Sequence, residues 1–289
     1  MFERGNSKGV VEILNEKDIA ADAAQARKEI EQGKLLVDSG RSLIEAGLQK
    51  TRSLAEEYVL RAKALMTDYA EPRRFELACH AYEQGIELVR ANLSEEELAK
   101  SLFEYGCFLQ ANKRYDLAEV RYRENLDIYQ RLEVISPQAY EPDLARAQNN
   151  LGLLYSDTQC YGESEEMYLS AVEVYQRLTA ADPQVYEPYL VRACNNLSFL
   201  FLAQGNFEDA ERYAREGSKY DSTHHTIYTN LAASLLLQGR YTEAEEIYLR
   251  YKEELKEDFL SDFENFYQRG IIPPEREDDV ERIKKLLSK

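Results

Sequence analysis

One block of this chain is written twice. Tyr129-Gln130-Arg131-Leu132 returns 46 residues later as Tyr175-Gln176-Arg177-Leu178. At the same spacing, Tyr140-Glu141-Pro142 returns as Tyr186-Glu187-Pro188, and Asn149-Asn150-Leu151 as Asn195-Asn196-Leu197. A fixed period of this size is the mark of a solenoid, in which each unit buries its apolar face only against its neighbours. The expected fold is therefore an all-α stack, and the expected working part is an extended surface.

Within the repeat, Leu151, Leu154 and Tyr155 recur at helical spacing, and Tyr161, Ser164, Tyr168, Ala171 and Tyr175 do the same. This predicts two amphipathic helices joined by a turn around Asp157 to Tyr161. Gly152 and Ser164 put one small side chain on each helix, which lets the two approach closely while tyrosines fill the flanks. The preceding unit repeats the pattern with Tyr105, Gly106, Tyr115, Ala118, Tyr122 and Tyr129. The following unit carries Ser198, Phe207, Ala210 and Ala214. A fourth, with Leu231, Ala232, Tyr241, Ala244 and Tyr248, follows at an offset of 34 rather than 46.

In these positions the chain resembles the tetratricopeptide repeat (TPR) family. The resemblance is carried best by Asn196 through Ala210, with Gly205-Asn206-Phe207 at the turn, and by Asn230-Leu231-Ala232 through Gly239-Arg240-Tyr241 to Ala244. It covers about residues 95–254, and Phe75, Ala78 and Tyr82 mark a weaker unit before it. The resemblance implies a right-handed superhelical solenoid of antiparallel helix pairs. The expected organisation is an N-terminal helical segment over 1–50, a degenerate repeat over 51–92, the array over 93–254 and capping helices over 255–289. The 46-residue units exceed the family's usual 34. Because proline cannot continue a helix, Pro137 and Pro183 are expected to end lengthened second helices, and Pro142 and Pro188 to open the next first helices.

The ends are less regular. Leu255, Phe259, Phe263 and Phe266 form one apolar stripe, Gly270 to Pro274 a break, and Val280, Ile283 and Leu287 a last stripe. From Asp18 to about Tyr69 the chain reads as helix. Gly33, Gly40 and Gly47 fall seven apart, a narrow seam where another helix of this chain or of a second copy comes close. Self-association through this segment is one expectation. Residues 2–14 look like the turn and second helix of a repeat whose first helix is missing, as in the trimmed part of a longer protein.

Charge and composition exclude several classes of function. The formal charge is −17, from 53 acidic and 36 basic residues, so the surface repels a phosphate backbone and nucleic acid is not expected as a partner. No apolar run approaches the roughly 18 residues of a membrane span. Cys79, Cys107, Cys160 and Cys194 form no CxxC pair, which points to a reducing, cytoplasmic setting. His80 and the adjacent His224 and His225 form no ligand spacing, and no phosphate loop or nucleophile elbow appears. No enzyme activity, metal or cofactor is expected.

One constellation remains. Asn150, Asn196 and Asn230 stand just before the small residue of successive first helices, and Arg146, Arg192 and Thr226 stand four residues earlier, on the same helix face. Lys100 and Glu104 hold these places in the preceding unit, and Asn149 and Asn195 add a second row. The resemblance implies that this face lines a concave groove that grips peptides. Amides can bond a peptide backbone, and guanidinium forks match carboxylates. The expected function is a non-enzymatic scaffold binding a protein or peptide with acidic groups at Lys100, Arg146, Asn149, Asn150, Arg192, Asn195, Asn196 and Asn230. The alternative is a regulatory or oligomerisation module of a larger enzyme or signalling protein.

Overall fold

Thirteen α-helices follow one another in the described residues, which are 19–35, 40–220 and 226–288 of this computed structural model. They are α1 (Ile19–Leu35), α2 (Gly40–Thr67), α3 (Arg74–Asn92), α4 (Glu95–Ala111), α5 (Tyr115–Ile135), α6 (Pro137–Asp157), α7 (Tyr161–Ala181), α8 (Pro183–Ala203), α9 (Phe207–Ser218), α10 (Ile227–Leu237), α11 (Tyr241–Arg250), α12 (Lys252–Arg269) and α13 (Glu277–Ser288). A 3₁₀ turn at Pro274–Arg276 precedes α13. No strand occurs among the described residues. The helices group into two compact units, 1–129 and 130–289.

In the first unit, consecutive helices pack on one another from α1 to α4. Ser94 starts α4 with a capping box. Its hydroxyl accepts from the Glu97 amide at 3.2 Å, and the Glu97 carboxylate accepts from the Ser94 amide at 3.2 Å. The stretch from Asp18 to about Tyr69, which reads as helix in the sequence, holds two helices, α1 and α2, that pack against each other. A methyl group on Gly47 would meet Ile30 Cγ1 at 2.7 Å and the Ala26 carbonyl oxygen at 3.5 Å. At Gly47, then, the seam is filled by α1 of the same chain. The surroundings of Gly33 and Gly40, the whole of residues 2–14 and the His224-His225 pair lie outside the described residues.

The second unit shows why the long repeats differ from the short one. α6, α7 and α8 each run 21 residues, against 12, 11 and 10 for α9, α10 and α11. The prolines fall differently from expectation. Pro137 and Pro183 open α6 and α8 at the first helical position, where the missing N–H has no partner to lose. Pro142 and Pro188 lie inside those helices. The added length is thus shared between first and second helices instead of lengthening the second alone.

Small residues set the spacing within pairs. Gly152 lies against the ring of Tyr168, and the Ser164 hydroxyl donates to the Gly152 carbonyl at 2.8 Å. In the next pair the Ser198 hydroxyl donates to the Ala210 carbonyl at 2.7 Å. Gly205 and Gly239 take φ of +76° and +83° at the turns into α9 and α11, while Gln159 holds +61° before α7. One apolar core runs from Ala145 through Leu197 and Leu231 to the terminal stripes. Phe259, Phe263, Phe266, Val280, Ile283 and Leu287 are all buried in it.

Candidate binding face of the second helical unit

The first helices α6, α8 and α10 are tied by side-chain amides. Asn196 Nδ2 donates to Asn149 Oδ1 at 3.2 Å. Asn230 Nδ2 donates to the Asn195 carbonyl at 3.0 Å and to its Oδ1 at 2.9 Å. These bonds join neighbouring repeats, so part of the ladder is structural. Asn149 and Asn230 are each only 3% exposed, where Asn230 was expected to be open. A buried amide needs its partners, and the adjacent first helix supplies them. Asn150, Asn195 and Asn196 are half-buried and face a more open environment.

The two arginines stand one turn towards the helix starts. Arg146 is half-buried and ion-paired with Asp143. Arg192 is exposed and lies over the Tyr189 ring at 5.4 Å. Tyr189 stacks on Tyr175 at 5.6 Å. The Tyr175 hydroxyl is buried without a hydrogen-bond partner. Burial pushes its ionisation well above the usual range, and the charges of Arg192 and Arg146 oppose that rise. Both guanidinium groups therefore act on one buried hydroxyl.

Beyond the amides lies a cavity of about 240 Å³. Its lining includes Asn195, Asn196 and Asn230, the carboxylates Asp157, Asp258 and Asp262, and Phe199 and Arg269. Asp262 is pushed up to about 6, first by burial, with a Thr229 hydrogen bond opposing and the Asp258 charge adding to the rise. Arg269 lies over the Phe199 ring at 5.5 Å. Sequence reasoning did not anticipate Tyr175, Asp258 or Asp262 in this face. The available signal was the four-residue spacing of the two aspartates beside Phe259 and Phe263, which puts them on one edge of α12.

Lys100 belongs to the first unit, where it is exposed and ion-paired with Glu96. It lines a separate opening of about 470 Å³ floored by Tyr82 and Ile86. Two ion pairs border that opening, Arg52–Glu97 and Lys63–Glu104, both at 2.6 Å. Glu104, which stands where the ladder has asparagine, is thus occupied by Lys63.

Among the described residues, no group of histidine, cysteine, aspartate and glutamate side chains could hold a metal ion. The four cysteines are free, and burial pushes the Cys194 thiol up to about 12. No described helix is long and apolar enough to cross a membrane.

Two family models described as tetratricopeptide repeat match the chain, over residues 144–183 and 201–260. The first match covers most of α6 and all of α7, and the second spans α9 to α11 and half of α12. Among solved structures, the chain is similar to BtubC (BKLC) from P. vanneervenii, with 18% identity and a TM-score of 0.59, over 82% of this chain and 91% of that one. It is also similar to a signal transduction ATPase with numerous domains (STAND) from Pyrococcus horikoshii that carries a tetratricopeptide repeat sensor. That match has 16% identity and a TM-score of 0.55, over 90% of this chain and 41% of that one. No curated protein matches the chain in sequence.

Proposed function

Because this chain is a tetratricopeptide-repeat protein, an interaction scaffold by fold, we propose that it binds a peptide or protein segment along the face built by α6, α8 and α10. The observation that carries this reading is the graded state of that face. Asn149 and Asn230 are committed to neighbouring helices, whereas Asn150, Asn195, Asn196 and Arg192 keep surface for a ligand. An acidic side chain or a terminal carboxylate is received near Arg146 and Arg192. There it displaces the local Asp143 partner. Lys100 would serve the first unit in the same way, by exchange with Glu96. The free cysteines support a reducing, cytoplasmic setting.

The test is selection of binders from a randomised peptide library on the full chain, followed by affinity measurement on Arg146→Ala/Arg192→Ala. A charge-assisted contact is worth about 1.5–3 kcal/mol, so the double variant should bind at least tenfold more weakly. The loss should shrink with added salt, since partly exposed pairs are screened. Selected peptides that bind the variant equally well would remove the arginines from the site. A second reading is favoured by the STAND similarity, in which a comparable array is the sensor of a chain more than twice the length. Under that reading the same face receives the signal and the rest of a larger protein acts on it.

A further inference from the structure

The opening in the first unit lies between α2 and α4, outside the residues that either family model matches. Its volume of about 470 Å³ falls inside the roughly 300–1,000 Å³ range of ligand pockets. Tyr82, Ile86 and Val89, spaced four and three along α3, turn one apolar helix face into its floor. Val59 and Leu60 of α2 form an apolar wall, and Leu60 is 42% exposed. The facing wall, from α4, is polar, with Lys100, Ser101 and Glu104.

Ion pairs decide how a ligand can enter. Arg52 and Lys63 are the first and last lining residues of α2, and Glu97 and Glu104 the first and last of α4. The pairs Arg52–Glu97 and Lys63–Glu104 therefore cross the groove at its two ends. Between them α2 advances eleven residues, about 16 Å, and α4 seven, about 10 Å. A helix laid along the groove would have to break both pairs, whereas a side chain entering between them breaks neither. Lys100 is held by Glu96, so each cation at the mouth already has a carboxylate. Glu56 lines the same stretch and has no ion pair among the described residues. The charge left over at the mouth is thus negative and sits beside the apolar floor.

We propose that this opening is an anchor pocket for a large apolar side chain of a bound segment, with a neighbouring lysine or arginine paired to Glu56. The pocket rests on the scaffold reading above and gives its ligand a two-part signature, apolar and basic. The two parts contribute differently. Burial of the apolar side chain supplies most of the affinity. Glu56 is exposed, so its pair adds little affinity and serves mainly to select the partner.

The probe is N-acetyl-leucyl-lysine amide, titrated into the full chain labelled with ¹³C at isoleucine, leucine and valine methyls. The signals of Val59, Ile86 and Val89 report the pocket. The controls are the alanyl-lysine analogue, which removes the anchor, and the leucyl-glutamate analogue, which reverses the charge. Saturable shifts are expected, about tenfold weaker without the leucine. Charge reversal should cost about two- to fivefold, and this difference should vanish in Glu56→Gln and shrink with added salt. The Arg52 Nε–H signal should persist in the bound state, because the ion pair to Glu97 stays closed. Val59→Phe, which fills the pocket from its wall, should abolish the response. Leu60→Ser, at an exposed position, should weaken it without loss of fold. Equal shifts from the leucyl and alanyl probes would overturn the proposal, as would full affinity in Leu60→Ser. Loss of the Arg52 signal on binding would overturn entry between the two pairs. The library selection separates this pocket from the scaffold itself. Selected peptides that lack an apolar–basic pair and bind Val59→Phe as tightly as the parent keep the scaffold and remove the pocket. A leucine-selective response in a chain that selects no library peptide keeps the pocket and removes the scaffold reading.

Discussion

Adding one methyl group at Gly152 tests the packing rule that spaces the repeat. An alanine Cβ there would lie 2.8 Å from Tyr168 Cδ1, 2.9 Å from Cε1 and 3.2 Å from Cγ. The ring cannot swing away freely, because Tyr168 is 1% exposed and packed in the core. Two effects compete. Replacing glycine by alanine inside a helix gains about 1 kcal/mol. Overpacking a filled core costs about 1–3 kcal/mol. With three ring atoms inside normal contact distance the second effect should win, leaving Gly152→Ala about 1 kcal/mol less stable. Gly162→Ala is the matched control. Gly162 lies in the first turn of α7, and nothing stands within 4 Å of a methyl group there. It should gain up to about 1 kcal/mol. The assay is urea unfolding by circular dichroism, with native-state hydrogen exchange of α6 and α7 to localise the change, since two compact units need not unfold as one. Opposite signs are expected for the two variants. Equal stabilisation by both would refute the claim that Gly152 sets the distance between α6 and α7.

Other changes follow from the same structure. Asp262 is raised to about 6 from the usual 3.8, so its charged form is disfavoured in the fold. That cost is absent below about pH 4, grows as pH rises through 6 and is complete above it, about 1–3 kcal/mol for a two-unit rise at a half-buried group. Asp262→Asn should therefore match the parent near pH 4 and exceed it by this amount at pH 7.5 in thermal melts. An equal difference at both pH values would argue against the shifted carboxyl. Gly47→Leu should destabilise the first unit by roughly 1–3 kcal/mol through the Ile30 contact, and a neutral result would mean that α1 and α2 separate easily. Gly239→Ala combines a left-handed φ of +83° with a methyl position 2.3 Å from Arg276 Nη2, so it should lower the melting temperature by several degrees.

The helix pairs were legible in the sequence because their cause is local. A small residue on one helix and a large one on its partner recur in phase, and the structure shows why the exchange works. Gly152 meets the Tyr168 ring while its carbonyl accepts from Ser164, and the next pair brings Ser198 opposite Ala210 with a hydroxyl-to-carbonyl bond of its own. The prolines were less legible. Pro137 stops α5 and starts α6 in a single step, and a sequence pattern cannot separate a stop from a start when the same residue does both. The N-terminal glycines marked a close approach but not its partner. At Gly47 the partner lies 17 residues upstream at Ile30, and heptad phase alone serves a second copy equally well.

The proposed binding face depended on contacts that no local pattern encodes. Positions four apart placed Arg146 with Asn150 and Arg192 with Asn196. The same rule gave Asn230 an open place that its bonds to Asn195 take away. Which amide stays free depends on how close the next first helix lies, and that distance is fixed by core residues elsewhere in the repeat. The acidic wall is the clearer case. Asp258 and Asp262 carried no assignment in the sequence, because the stripe of Leu255, Phe259, Phe263 and Phe266 explains that helix by itself. Burying the stripe against α10 and α11 turns the edge of α12 towards the amide ladder, and the two aspartates are carried along with it. A residue that covers the apolar end of the stack thereby also sets the charge of the surface offered to a ligand. Changing the polarity of the face thus needs no change in α6, α8 or α10. Substitutions at Asp258 and Asp262 that leave the apolar stripe intact should suffice.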